Sequence, residues 1–491
     1  MNPNSSSTAF DLVIRHGTAV TATEFAPCDI GIKDGRIHGL GLGLAPGAQE
    51  IDARHLWVLP GGVETHCHIE QRSAAGLMGA DNFTSGSIAA AFGGHTTIVP
   101  FAAQHKGQGL VEVVTDYSQR AVRSVLDYAF HLIITDPTPQ VMAEELPALI
   151  RQGHTSLKVF LTYDRLKIDD AQMLAILATA RREGALVMVH AENHGMIQWL
   201  SQQLLAAGHR EPRYHAMAHA RLSEVEAVQR AIKLAELTDA PLFIVHVSTA
   251  EAMAVVRTAQ DRGQTVFAET CPQYLLLTAA DLDRPGLEGA KWLCSPPPRD
   301  EATQAALWRG LKNGTLATCT SDHAPYRFDA EGKLAKGDDP SFAEIPSGIP
   351  GIELRLPLLF SEGVSQGRLD PRAFAALSAT NPARIFGLQP RKGGLFVGGD
   401  ADLALWDPKR QVRVTPELLH DRTGYTPYQG RILTGWPVTV IRRGEVVVRD
   451  GALLAKDGGG QWLHRAPGSV APSGQLVPEL DPASNFNADL L

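Results

Sequence analysis

The sequence predicts an α/β protein built on a (β/α)8, TIM-like barrel, with a second, smaller β-sandwich domain formed from both chain ends. Three observations predict it. Short β-branched runs alternate with longer helical patterns through the middle of the chain, eight such runs can be counted, and the two ends share a different texture of short strands and turns.

In chain order, residues 1–59 read as strands and turns (DLVIRHGTAVTAT, CDIGIKDGRIHGLG) and form the first part of the sandwich. The apolar runs then lie at 57–68, 95–101, 129–135, 155–161, 185–192, 241–247, 265–270 and 314–322. Between them stand segments of helical spacing, among them 109–126, 169–184 and 223–237, and the barrel is placed at 60–388. Residues 389–465 return to strands and turns (GDADLALWDP, VIRRGEVVVRDG) and complete the sandwich, because neither end alone is long enough to bury a core. The tail, 466–491, is rich in Pro, Ser, Gly and Asp, and is expected to be disordered or laid against another subunit.

With 491 residues, 44% hydrophobic and 20% charged, the chain has material for a large core and a soluble surface. A net charge of −8 without long basic runs leaves no electrostatic footprint for nucleic acid or an anionic membrane. The first residues lack the charged start and apolar stretch of a leader, and no long apolar segment follows, so a cytoplasmic protein acting on small molecules is expected. Cys28, Cys67, Cys271, Cys294 and Cys319 are odd in number and contain no C-x-x-C pair, which argues for buried free thiols.

In a parallel barrel, chemistry gathers at the carboxyl ends of the strands. There the first run carries His66 and His68, the fourth Lys158, the fifth His190, the sixth His246 and the eighth Asp322. An H-x-H alone signifies little, but residues i and i+2 of a strand share a face, so two imidazoles can grip one cation. The other ligand types at equivalent strand ends turn this weak motif into a metal site. Lys158 lies inside an apolar strand aimed at the barrel interior, where an ammonium pays for desolvation. As a neutral amine it can combine with carbon dioxide, and the resulting carbamate has two anionic oxygens able to bridge two cations. His95, His131, His154, His194, His209, His215 and His219 fall outside this pattern and are read as packing or surface residues, with His323 a partner of Asp322.

The strings HCH, KVFLTY, VHAEN, IVHVS, CSPPPR, SDHAP and SGIPGIE together resemble the amidohydrolase superfamily, and in order and spacing the dihydropyrimidinases and hydantoinases. The resemblance covers nearly the whole chain. It implies that His66, His68, a carboxylated Lys158 and Asp322 hold one divalent ion, and that Lys158, His190 and His246 hold a second. Zinc is the expected metal, with manganese or cobalt as substitutes. Two such ions about 3.5–4 Å apart share a hydroxide that attacks the carbonyl of a cyclic amide or imide. Asp322 then carries the proton to the leaving nitrogen.

By the same resemblance, Tyr163 supports the oxyanion and Ser295 reads the imide edge through its main chain, while Ser347, where the family more often has asparagine, is read either as a main-chain contact to the ring or as part of a structural Gly- and Pro-rich turn. Leu77, Met78, Phe160 and Tyr163 are expected to wall the pocket for the ring substituent, and a homotetramer is implied. Allantoinase and other cyclic-imide hydrolases are the neighbouring activities. A non-catalytic scaffold of the same fold would lack the ligands that this chain keeps. Dihydroorotase is set aside because Glu70 stands two residues after His68, where that family places an arginine, and would repel an acidic ring.

Overall fold

The computed structural model describes residues 9–73, 75–488 and 490. The reading of the amino terminus as leaderless rests largely on residues 1–8, which lie outside the described residues. Eight parallel strands succeed one another in chain order: Gly62–Cys67, His95–Ala103, His131–Ile133, Ser156–Phe160, Leu186–His190, Leu242–Ile244, Val266–Thr270 and Thr318–Cys319. The short Asp127–Tyr128 pairs with the second of them. Helices alternate with the strands, as the periodicity requires. Leu110–Ala121, Asp170–Glu183 and Arg221–Thr238 occupy the three segments quoted above. The second of these opens on an Asp169/Gln172 capping box and stops at Gly184, whose φ of 75° suits a residue without Cβ.

The ring closes between the eighth and first strands, where Cys67 and His323 form a parallel bridge and the His68 N–H donates to the His323 carbonyl at 2.8 Å. Fully buried Arg355 reinforces this seam, donating to the carbonyls of Cys319 and Val63 at 2.6 and 2.9 Å and pairing with Glu64 at 3.4 Å. Glu64 in turn accepts from the Ser321 N–H at 3.1 Å. A buried ion pair thus does the joining where the strand ladder is short.

The smaller unit is one sheet drawn from both ends. Trp57–Pro60 lies between the amino-terminal strand Phe10–Val20 and the carboxyl-terminal strand Leu403–Arg413, with a separate core that includes Ile14, Ile30, Val58, Leu403 and Ile441. The run at 57–68, read above as a single strand, is therefore two. Trp57–Pro60 belongs to the small sheet and Gly62–Cys67 to the barrel. The chain steps across at Gly61, where a Cβ would stand 2.3 Å from the Thr96 side chain.

The stretch at 465–474, where the tail begins, packs on its own barrel. Buried Arg465 donates to Ser156 Oγ at 2.7 Å and to the Phe130 carbonyl. Gly468 N–H meets the Gly184 carbonyl at 2.7 Å, and the Ser473 N–H and hydroxyl both donate to Asp239. These contacts lie at the amino-terminal ends of the third to sixth strands, opposite the ends that carry Lys158, His190 and His246.

Candidate active site

The barrel brings the nine singled-out residues to one place. His66, His68, Lys158, Tyr163, His190, His246, Ser295, Asp322 and Ser347 all line a single cavity of about 410 Å³. Two of them sit farther from the ladder than the sequence runs indicated. The sixth strand ends at Ile244 and the eighth at Cys319, so His246 and Asp322 follow on turns, with φ of 40° and 49°. Tyr163, at φ 71°, is a third site residue in the left-handed region. Such backbone is costly for residues with a Cβ, and surrounding contacts hold it here.

The inward-facing nitrogens converge. His66 Nε2 and His68 Nε2 lie 3.1 and 3.3 Å from the same Asp322 oxygen, and His246 Nε2 lies 2.9 Å from His190 Nδ1. Donor atoms of His66, His246 and Asp322 all fall within 4.8 Å of one another, which is the spacing a single cation can span. The fit to metal ions is supported from behind, because three of the four rings have their outer nitrogen engaged. His66 Nδ1 meets Glu269, His68 Nδ1 meets Gln71 at 2.8 Å, and His190 Nε2 meets Glu192 at 2.8 Å. Such outer partners set the tautomer and orientation of each ring and turn the other nitrogen toward the cavity.

Electrostatics sharpen the arrangement. Burial lowers the Lys158 ammonium to about 8, against the pull of Asp322 and Glu269 in the other direction. No hydrogen bond or ion pair reaches it among the described residues, and its Nζ stands 5.1 and 5.2 Å from the rings of Phe101 and Phe160. Burial would also depress His66, yet Glu269 and Asp322 outweigh it and hold the imidazolium up to about 9. Burial likewise opposes ionisation of Asp322, but the adjoining His66 holds its carboxyl well below the ordinary range. Burial pushes the Tyr163 phenol far up, so its hydroxyl keeps its proton and remains a donor.

Several residues escaped the sequence reading. Glu269 sits in the apolar run of the seventh strand, Val266–Thr270, a signal of the same kind as those at the other strands. His219, read as a packing residue, completes a chain through Glu192, whose second oxygen meets its Nδ1 at 2.8 Å. His215, read likewise, meets the Cys294 carbonyl at 2.9 Å and Ser295 Oγ at 3.2 Å, touching the proposed recognition loop. Fully buried Lys333 donates to the carbonyls of Leu293 and Pro346 at 2.8 and 2.7 Å, tying the segments that carry Ser295 and Ser347. His323 bonds to Asp81 at 3.1 Å beside Asp322.

Two expectations are corrected. Met78 is 42% exposed and does not line the cavity, whereas Leu77 and Phe160 do. Glu70 does not face the cavity either: its oxygens lie 2.6 and 2.7 Å from Arg123, and one accepts from the Phe83 N–H. The argument that it repels acidic rings therefore fails, because its charge is neutralised on the outer side of the loop.

Fold and cluster define a (β/α)8 barrel that gathers imidazole, lysine and carboxylate groups at the carboxyl ends of its strands. The chain belongs to the amidohydrolase family, whose model matches residues 57–447, and within it to the dihydropyrimidinases and hydantoinases. It is 43% identical over 458 residues to the D-hydantoinase of Geobacillus stearothermophilus, covering 92% of this chain and 96% of that one. It is 41% identical over 457 residues to the D-hydantoinase of Rhizobium radiobacter, covering 93% and 99%. The solved dihydropyrimidinase of Brevibacillus agri superposes with a TM-score of 0.90 at 40% identity, covering 93% of this chain and 98% of that one. Among the described residues, no helix is long and apolar enough to cross a membrane.

Proposed function

We propose that this protein is a metal-dependent hydrolase that opens the rings of cyclic amides and imides, dihydropyrimidines and 5-substituted hydantoins in particular. One observation carries the reading. Three ring nitrogens are fixed from behind by Glu269, Gln71 and Glu192, and the opposite edges converge with Asp322 and Lys158 on one cavity.

His66, His68, Lys158 and Asp322 would hold one divalent cation, and Lys158, His190 and His246 a second, zinc being the metal that suits these donors. Lys158, whose ammonium burial makes easier to deprotonate, would as the free amine add carbon dioxide and lose a proton to become a carbamate with anionic oxygens to offer the cations. When bound, the two cations supply an activated water and polarise the ring carbonyl. Asp322 accepts the proton that this water loses on attack and delivers it to the ring nitrogen as the C–N bond breaks. The Tyr163 hydroxyl donates to the oxygen that becomes negative. Main-chain groups of Ser295 and Ser347 hold the imide edge, which places the scissile carbonyl against the ligands.

The proposal extends to a cytoplasmic homotetramer acting on small molecules. It divides the chain into a small β domain from about 1–59 and 389–465, a barrel of about 60–388 and a tail of 466–491. The test is hydrolysis of dihydrouracil, hydantoin, 5-phenylhydantoin, succinimide, allantoin and dihydroorotate by zinc-loaded protein, beside Lys158→Ala. Ring opening by the parent and none by the variant is expected. A protein that binds two metals and opens no ring would refute the reading.

A further inference from the structure

The cavity lining carries a cation that ring opening does not use. Arg72 lines the cavity and bridges to Met78, while the Ser73 N–H donates to the Leu77 carbonyl at 2.7 Å. Ser73 also shares a side-chain hydrogen bond with Tyr326, and the Ala80 N–H donates to the Pro325 carbonyl at 2.7 Å. The preceding residue, Gln71, is the one that meets His68 Nδ1. The guanidinium thus rides on an element fastened to the ligand set.

Its charge is left uncompensated. The Arg72 side chain donates to the Gly76 carbonyl at 3.0 Å and has no carboxylate partner among the described residues. Glu70, two residues before it, is spent on Arg123. Glu344, an acid that also lines the cavity, accepts from the N–H and hydroxyl of Ser341 at 2.9 and 2.7 Å and lies 4.0 Å from Arg210. His105, also on the wall, is kept neutral by burial first and by the Arg72 charge second. The lining of the same cavity includes apolar Leu77, Phe160 and Leu166.

From a guanidinium without a carboxylate among the described residues, in a cavity that also has apolar lining, we propose that the preferred rings carry a short alkyl substituent ending in a carboxylate, with Arg72 as the residue that selects it. The inference rests on the ring-opening reading above. A guanidinium presents paired N–H donors that match a carboxylate, and an unpaired one gains more from such a ligand than one already bound to protein. The methylene stem would lie along Leu77 and Phe160.

The test compares kcat/KM for 5-(2-carboxyethyl)hydantoin and its isosteric carboxamide in the parent, Arg72→Gln and Arg72→Glu proteins. The acid should be favoured about tenfold in the parent, a ratio that falls to about one in Arg72→Gln and inverts in Arg72→Glu. Added salt should shrink the parent's ratio and leave that of Arg72→Gln in place. Equal turnover of acid and amide by the parent, or a preference that survives Arg72→Gln, overturns the proposal. If 5-methylhydantoin opens and neither longer ring does, the substrate class falls while the reaction stands. If no ring opens with two metals bound, the ring-opening reading itself falls.

Discussion

Replacing Lys333 by methionine should raise KM about tenfold while changing stability by no more than about 3 kcal/mol. Its ammonium is buried and donates to the carbonyls of Leu293 and Pro346. Losing both donors leaves two buried carbonyls underbonded, at about 1–3 kcal/mol each. Set against this is the cost of burying the amine, which is lowered from 10.5 to about 7. At pH 8 the folded protein holds this amine largely neutral, whereas the unfolded chain carries it charged. That difference costs folding about 3 kcal/mol, at 1.36 kcal/mol for each unit between pH 8 and the free value. Methionine removes the cost along with the bonds, so the net change in stability is expected between about 1 kcal/mol stabilising and about 3 kcal/mol destabilising.

Binding has no such offset. Without Lys333, the segments bearing Ser295 and Ser347 stay joined by the Gly348 N–H to Leu293 carbonyl bond at 3.0 Å. Mispositioning one ring contact costs about 1.4 kcal/mol, which is tenfold in KM. Urea unfolding at pH 8, steady-state kinetics and metal content together decide the matter. An unchanged KM, or a rise accompanied by loss of metal, would show that Lys333 does not position the recognition loops.

Glu192→Gln should weaken divalent-metal binding about 10–100-fold by chelator competition, because Glu192 fixes both His190 and His219. Unaltered affinity would remove it from the site. Glu353 supplies a pH signature. Burial raises its carboxyl to about 7 despite the bonds from His420. The folded protein therefore binds the extra proton between the free value near 4.5 and about 7, and this contribution to stability is lost as pH rises through that window. Glu353→Gln should flatten the loss, which amounts to about 3 kcal/mol in the parent. Parallel stability curves for the two proteins would refute the assignment.

How much was legible in the sequence follows from where each residue sits. The barrel, the small β unit from both ends and the gathering of His66, His68, Lys158, His190, His246 and Asp322 could be read directly. Strand period and strand end are local properties, and in a parallel barrel they dictate which side chains reach the mouth. Only the tertiary structure decided what stands behind those ligands and around the rim. Glu269 meets His66 across 203 residues and Lys333 reaches Leu293 across 40, pairings that no local pattern encodes. The two arginine–glutamate relations make the same point. Glu70 looked like a charge facing the substrate until Arg123, 53 residues away, was found to hold it. Arg72, two residues on, has no carboxylate partner among the described residues. Sequence pattern specifies the face on which a side chain emerges, but its charge is satisfied or left free by whatever the fold brings opposite.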